Sequence, residues 1–160
     1  MPSTAVTRIL VPIDFSPCSR AALEYAAQFA DQVKARVDVL HVHEQGFIGS
    51  EPLAMVPLGA ARGRGWEETR KDVIRELDAF LGSMRNRVRD VRVESGLPGD
   101  VIPDIAKRGG FDLIVMGTHG RGGLSRLIVG SVAEAVMRKA AVPVLTLRMP
   151  KREARERVPL

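Results

Sequence analysis

Apolar residues follow two alternating rhythms along this chain. Arg8-Ile9-Leu10-Val11-Pro12-Ile13-Asp14 is a continuous apolar run closed by a polar turn, the pattern of a strand buried on both faces of a parallel sheet. Ser16-Pro17 then predicts a helix start. The hydroxyl can cap, and proline at the first helical position gives up an N–H that has no partner there. Ala22, Ala26, Phe29, Ala30 and Val33 recur at helical spacing and predict its apolar face. Arg36 to His43 returns to strand chemistry, with valines at alternate positions. Val73, Leu77, Phe80, Leu81 and Met84 predict an amphipathic helix of about twenty residues. Arg89 to Glu94 alternates as a third strand, and Gly96-Leu97-Pro98-Gly99 turns the chain. Asp100 is placed to cap a short helix reaching Lys107, with Pro103 where first-turn N–H groups are unpaired in any case. Asp112 to Met116 is a fourth, wholly apolar strand, and a helix is expected from about Ser131 to Lys139. Val142 to Leu147 reads as a fifth strand whose Pro143 suits a strand start or a sheet edge.

Strands alternating with helices imply an α/β fold, a parallel sheet with helices on both faces. One domain over residues 1–150 and a polar, basic tail at 151–160 are expected. Between Glu44 and Gly65 the periodicity breaks at Gly46, Gly49, Pro52, Pro57, Gly59 and Gly63. In sheets of this kind ligands sit beyond the carboxyl ends of the strands, where the strand order reverses. That directs attention to Asp14–Ser16, Val42–Glu44, Ser95–Pro98 and the segment from Gly117 onward.

Composition narrows the field. The 160 residues hold one cysteine, Cys18, so an internal disulfide and a cysteine-based zinc site are both excluded. Cys18 reads as a small filler in the first turn of a helix. No run approaches the roughly 18 apolar residues of a membrane span, and Met1 to Arg8 lacks the pattern of a signal peptide. A cytoplasmic protein with no membrane association is expected. The net charge of +5 raises the question of nucleic acid. Basic residues are interleaved with acids, as in Glu67-Glu68-Thr69-Arg70-Lys71-Asp72, and aromatics are 4%. That is a solvated helix face without a stacking platform, which argues against nucleic acid.

Gly117-Thr118-His119-Gly120-Arg121-Gly122-Gly123-Leu124-Ser125-Arg126-Leu127-Ile128-Val129-Gly130-Ser131-Val132 joins an apolar strand to a helix. Glycines let the backbone approach a ligand, and a helix N-terminus offers free N–H donors to an anion. Arg121, Arg126 and the Ser131 hydroxyl add to a phosphate-binding pattern. The dinucleotide fingerprint belongs in the first strand–helix turn, which here reads Asp14-Phe15-Ser16-Pro17 without glycine, and no lysine precedes Ser131 as in a P-loop. His41 and His43 share one face of a strand. With no carboxylate or cysteine cluster to complete a metal site, His41 reads as a packed or hydrogen-bonded residue. No nucleophile–base–orienter set is visible, so no catalytic residue is assigned.

Gly117-x2-Gly120-x9-Gly130-Ser131, the opening Ile9-Leu10-Val11-Pro12-Ile13-Asp14-Phe15-Ser16, Leu40-His41-Val42, Gly96-x2-Gly99 and Asp112 to Gly117 together resemble the ATP-binding, glycine-motif subgroup of universal stress proteins. The resemblance spans about Thr7 to Leu147. It implies a Rossmann-like five-stranded parallel sheet of order 3-2-1-4-5. It places Asp14, with the backbone of Pro12 and Ile13, at adenine and ribose, and the backbone of Val42 at the adenine edge. Gly117 and Gly120 are expected against ribose and phosphate, and Gly130, Ser131 and Val132 at the phosphates. Met116, His119 and Arg121, flanking those glycines, complete the expected nucleotide-binding set. The implied function is a nucleotide-dependent stress-response switch holding ATP, with Mg²⁺ through the phosphates. At most slow hydrolysis or autophosphorylation accompanies it, and its protein partner is not encoded in these motifs. The alternative is a stress-related interaction module that does not use ATP. A homodimer is expected through the fifth strand, Val144 to Leu147, because pairing covers an exposed apolar edge.

Overall fold

The structure is a computed structural model of the 160-residue chain, described here for residues 5–44, 47–48, 51–52, 65–118 and 130–148. Its first strand, β1 (Arg8–Pro12), lies at the centre of the sheet. Helix α1 (Pro17–Val33) leads to β2 (Arg36–His43). After β2 come two two-residue strands, β3 (Phe47–Ile48) and β4 (Glu51–Pro52), paired antiparallel within the segment read as irregular. Helix α2 (Trp66–Leu81) runs on into a 3-10 segment, Gly82–Arg87, giving the long amphipathic element expected there. The chain continues through β5 (Asp90–Ser95), α3 (Pro98–Arg108), β6 (Leu113–Gly117), α4 (Ser131–Lys139) and β7 (Val144–Leu147).

The five-stranded sheet has the order β5-β2-β1-β6-β7 with every neighbour parallel. Counted along the chain this is 3-2-1-4-5, the expected topology. Flanked by β2 and β6 and covered on both faces, β1 keeps Ile9, Leu10 and Val11 fully buried. Alternation along the strands divides the core. Ile9, Val11, Ile13, Val37, Val39, Leu113 and Val115 meet Ala22, Leu23, Ala26, Leu77 and Leu81 of α1 and α2. Leu10, Leu40, Val42, Ile114 and Met116 meet Ile102, Ile105, Ala133 and Val136 of α3 and α4 on the other face.

Three local expectations are corrected. Asp100 does not cap α3; the cap position is Leu97, which offers no side-chain acceptor, and Pro98 opens the helix. Asp100 sits in the first turn and instead pairs with Lys139 of α4. Pro103 therefore falls inside the helix, where it removes an amide from which the Gly99 carbonyl would otherwise accept. Val33 lies beside the left-handed Lys34 that ends α1 and is left exposed, while Leu23 and Ala27 join the buried stripe. Pro143 immediately precedes the edge strand β7, and its carbonyl accepts from Ile114 N at 3.0 Å.

The amino-terminal end of the sheet carries a charged lock that sequence periodicity does not show. Asp38, 1% exposed, accepts a hydrogen bond from Arg8 Nη2 at 2.8 Å. The Arg8 guanidinium also lies 4.4 Å over the Phe111 ring. Asp112 Oδ2 accepts from Thr7 Oγ1 (2.7 Å), Thr7 N (2.8 Å) and Arg8 N (2.9 Å). These contacts tie β1, β2 and the start of β6 together at the end opposite the expected ligand.

Candidate functional site

The connections out of β1 and β6 run to opposite faces of the sheet, because α1 packs on one core and α4 on the other. That reversal makes the carboxyl ends of these two adjacent strands the switch point at which, in sheets of this kind, a crevice receives ligands. Pro12, Ile13, Asp14, Met116 and Gly117 all come to this end, and Val42 is the last residue but one of the neighbouring β2. Met116 and Val42 turn their side chains into the α3/α4 core, so what each offers a ligand is backbone.

The turn after β1 is held closely. Ile13 N donates to Leu40 O at 2.8 Å, and Ile13 O accepts from His41 Nδ1 at 2.8 Å. Asp14 Oδ1 accepts from Ser16 N at 3.0 Å, and Ser16 Oγ caps α1 by accepting from Ser19 N at 3.1 Å. Between them Phe15 has φ 63°. That is the left-handed region, unusual for a bulky side chain and costing about 1–3 kcal/mol when surrounding structure imposes it. The Phe15 ring lies 4.8 Å from the His41 ring and meets Phe80 of α2 edge-on at 5.5 Å. His41 is thus the packed, hydrogen-bonded residue anticipated for it. His43, two positions on, has its ring 6.1 Å from that of Trp66.

The turn after β6 is fixed by close approach. A β-carbon on Gly117 would fall 2.7 Å from Cys18 Sγ and 3.0 Å from its Cβ, so only glycine lets the first turn of α1 lie against the strand end. Cys18 is buried, as a filler should be, and its thiol donates to Leu147 O at 3.4 Å. Thr118 N and Oγ1 both donate to Leu147 O, at 2.9 and 3.2 Å. The Thr118 carbonyl in turn accepts from Gly130 N at 2.8 Å, and a β-carbon on Gly130 would stand 2.8 Å from that carbonyl oxygen. Thr118 and Gly130, the described residues on either side of the glycine segment, are therefore joined by a backbone clasp. Gly130 is the cap position of α4 and supplies no side chain, Ser131 is exposed, and Val132 is half-buried against the α3/α4 core. His119, Gly120 and Arg121 lie outside the described residues, as does Arg126.

Sequence reasoning missed Phe15's backbone, the Cys18–Gly117 contact and the Thr118–Gly130 clasp. None has a local signature, since each depends on which elements meet across the sheet end. Among the described residues no three or more His, Cys, Asp or Glu side chains gather into a metal site. No helix among them is long and apolar enough to cross a membrane.

A family model described as the universal stress protein family matches residues 5–148. Universal stress protein MJ0531 of Methanocaldococcus jannaschii is 31% identical over 153 residues, covering 91% of this chain and 84% of that protein. Universal stress protein MJ0577 of the same organism is 30% identical over 158 residues, covering 91% and 97%. The solved structure of MJ0577 superposes with a TM-score of 0.71 at 26% identity, covering 92% of this chain and 99% of that one. A universal stress protein solved in complex with cAMP has the same fold, with a TM-score of 0.60 at 20% identity over 91% and 98%.

Proposed function

This chain belongs to the universal stress protein family, and we propose that it binds ATP in the crevice between the ends of β1 and β6 and serves as a nucleotide-dependent switch in a stress response. The observation that carries this reading is the clasp of Thr118 to Gly130, which brings the start of α4 to the end of β6 with no side chain at the helix's cap position. A β-carbon would crowd both glycines, and α4 begins without a side-chain cap. Its first-turn N–H groups are therefore left for an anion, an interaction of about 0.3–1 kcal/mol from the helix dipole at low salt. These residues suit a phosphate chain, and the fit extends to the rest of the nucleotide. Asp14 stands at the end of β1 to accept from ribose hydroxyls, and the Val42 backbone offers the adenine edge a donor and an acceptor. Ser131 and Val132 offer first-turn amides to the phosphates beside Gly130, and His119, Gly120 and Arg121, which lie outside the described residues, complete the proposed set. Mg²⁺ enters with the triphosphate. A bound nucleotide adds charge and order at α4, next to β7, and so biases whatever surface those elements present to a protein partner. Hydrolysis, if any, is slow, and we assign no catalytic residue.

The test is the nucleotide content of the purified protein, followed by ATP titration of wild type and a Gly130→Val/Ser131→Ala variant. ATP carried by wild type and lost from the variant is the expected result. Because a protein of the same fold has been solved with cAMP, cAMP belongs in the same titration. A wild type that neither carries nor binds an adenine nucleotide would refute the reading and leave the alternative, an interaction module without ATP.

We also propose a homodimer through β7. It is the edge strand beyond β6, and Val144, Leu145, Thr146 and Leu147 are only half-buried within one chain. Pairing two such edges covers apolar surface and satisfies the open backbone row. Gel filtration at micromolar concentration should return twice the chain mass, and a monomer would exclude this interface.

A further inference from the structure

We infer that Phe15 and His41 are positioning residues for the nucleotide site, acting by holding the Asp14 carboxylate in place. The inference rests on the ATP reading above and adds to it a mechanism for one of its contacts. Phe15 is one of two residues other than glycine with positive φ among those described, and the other, Lys34, ends a helix. Helix ends adopt that conformation routinely. A phenylalanine between a strand end and a helix cap has no such local reason, so something must hold it there.

The ring contacts identify the holder. Phe15 lies on the His41 ring at 4.8 Å and meets Phe80 edge-on at 5.5 Å, which pins the side chain between β2 and α2. Such aromatic pairs add stabilisation beyond the area they bury. His41 is itself fixed, because Nδ1 donates to Ile13 O at 2.8 Å, the residue before Asp14. Ile13 N is held by Leu40 O at 2.8 Å. On the other side, Ser16 is buried, donates to Asp14 Oδ1 and caps α1. Asp14 is therefore gripped from both flanks, by β2 through Ile13 and by the cap through Ser16. The left-handed Phe15 sets the turn between the two grips. Free of the rings, Phe15 relaxes toward negative φ, and the path from Ile13 to Ser16 changes. The carboxylate, the only charged group in that turn, then leaves the position from which it meets the ribose.

The experiment uses the full chain. Phe15→Ala and His41→Ala are titrated with ATP by calorimetry, each alone and combined with Asp14→Ala. Thermal melts and amide exchange at Ser16 and Ser19 are recorded on the nucleotide-free proteins. Phe15→Ala should bind ATP about tenfold more weakly, the loss of one well-placed hydrogen bond to a charged group. His41→Ala should shift in the same direction. Exchange at Ser16 should accelerate in both, without global unfolding. Combined with Asp14→Ala, neither change should weaken binding further, because the residue it acts through is gone. Folded Phe15→Ala and His41→Ala proteins that bind ATP within about twofold of wild type would overturn the inference while leaving the ATP reading standing. A tenfold factor that persists undiminished in the Asp14→Ala background would overturn it equally. If Phe15→Ala does not fold, His41→Ala alone decides by the same criteria. A wild type that takes up no ATP overturns both.

Discussion

Gly117→Ala tests whether close approach, and not only loop chemistry, explains the glycine that ends β6. The new β-carbon would sit 2.7 Å from Cys18 Sγ, 3.0 Å from Cys18 Cβ and 3.1 Å from the Cys18 carbonyl carbon. Each gap must open by a few tenths of an ångström. Cys18 has little room to yield, since it is buried in the first turn of α1, which the Ser16 hydroxyl caps. Relief therefore means shifting that turn away from the strand. Overpacking of this kind costs about 1–3 kcal/mol, and replacing glycine with alanine returns about 0.4–1 kcal/mol by restricting the unfolded chain. A net loss of about 1–2 kcal/mol follows, which lowers Tm by about 2–8 °C. Urea unfolding monitored by circular dichroism measures it directly, as a lower midpoint at unchanged slope. The diagnostic comparison adds Cys18→Ala, which removes the 2.7 Å contact but leaves those at 3.0 and 3.1 Å. The double variant should be more stable than the sum of the single losses, with a coupling of about 0.5–2 kcal/mol. A Gly117→Ala protein as stable as wild type, or losses that simply add, would refute the reasoning.

At the opposite end of the sheet, Arg8→Met strands the Asp38 carboxylate, 1% exposed, without its guanidinium. A loss of about 3 kcal/mol in urea unfolding is expected, largely recovered in Arg8→Met/Asp38→Leu, since a buried pair is costly to break but not to replace. Asp112 titrates below its usual 3.8 because the Thr7 hydroxyl, then the Thr7 and Arg8 amides, donate to the ionised carboxylate. A lowered folded-state pKa stabilises at pH above 3.8 and is lost as pH falls through the folded value. Asp112→Asn should therefore be less stable than wild type at neutral pH, and the gap should close on acidification toward that value. A gap independent of pH between 7 and about 3 would exclude the mechanism.

The alternation of apolar strands and amphipathic helices carried most of the fold. Ile9 to Val11 and Leu113 to Met116 are apolar on successive positions because both faces of the central strands are covered, and such runs are readable without any partner in view. The same holds for the Ser16-Pro17 helix start and the Ser131–Lys139 helix. Local rules failed where a neighbour decided the outcome. Asp100 has a good capping chemistry, but Pro98 starts the helix earlier, and Lys139 of α4 takes the carboxylate. Val33 continues the helical spacing, yet α1 ends beside it at Lys34.

For the site, the sequence by itself determined the order of pieces: a strand ending in aspartate, a strand ending in glycine, and a glycine-rich segment opening a helix. Those are chemical identities and spacings along one chain, and a one-dimensional pattern holds them completely. Only the tertiary structure decided that Cys18 lies against Gly117, that Thr118 clasps Gly130, and that His41 and Phe80 grip Phe15. Each is a distance between residues brought together by the parallel crossovers, and two of them concern how closely backbone can approach. Such distances are set by the packing of α1 and α4 on opposite faces of the sheet, which no single segment encodes.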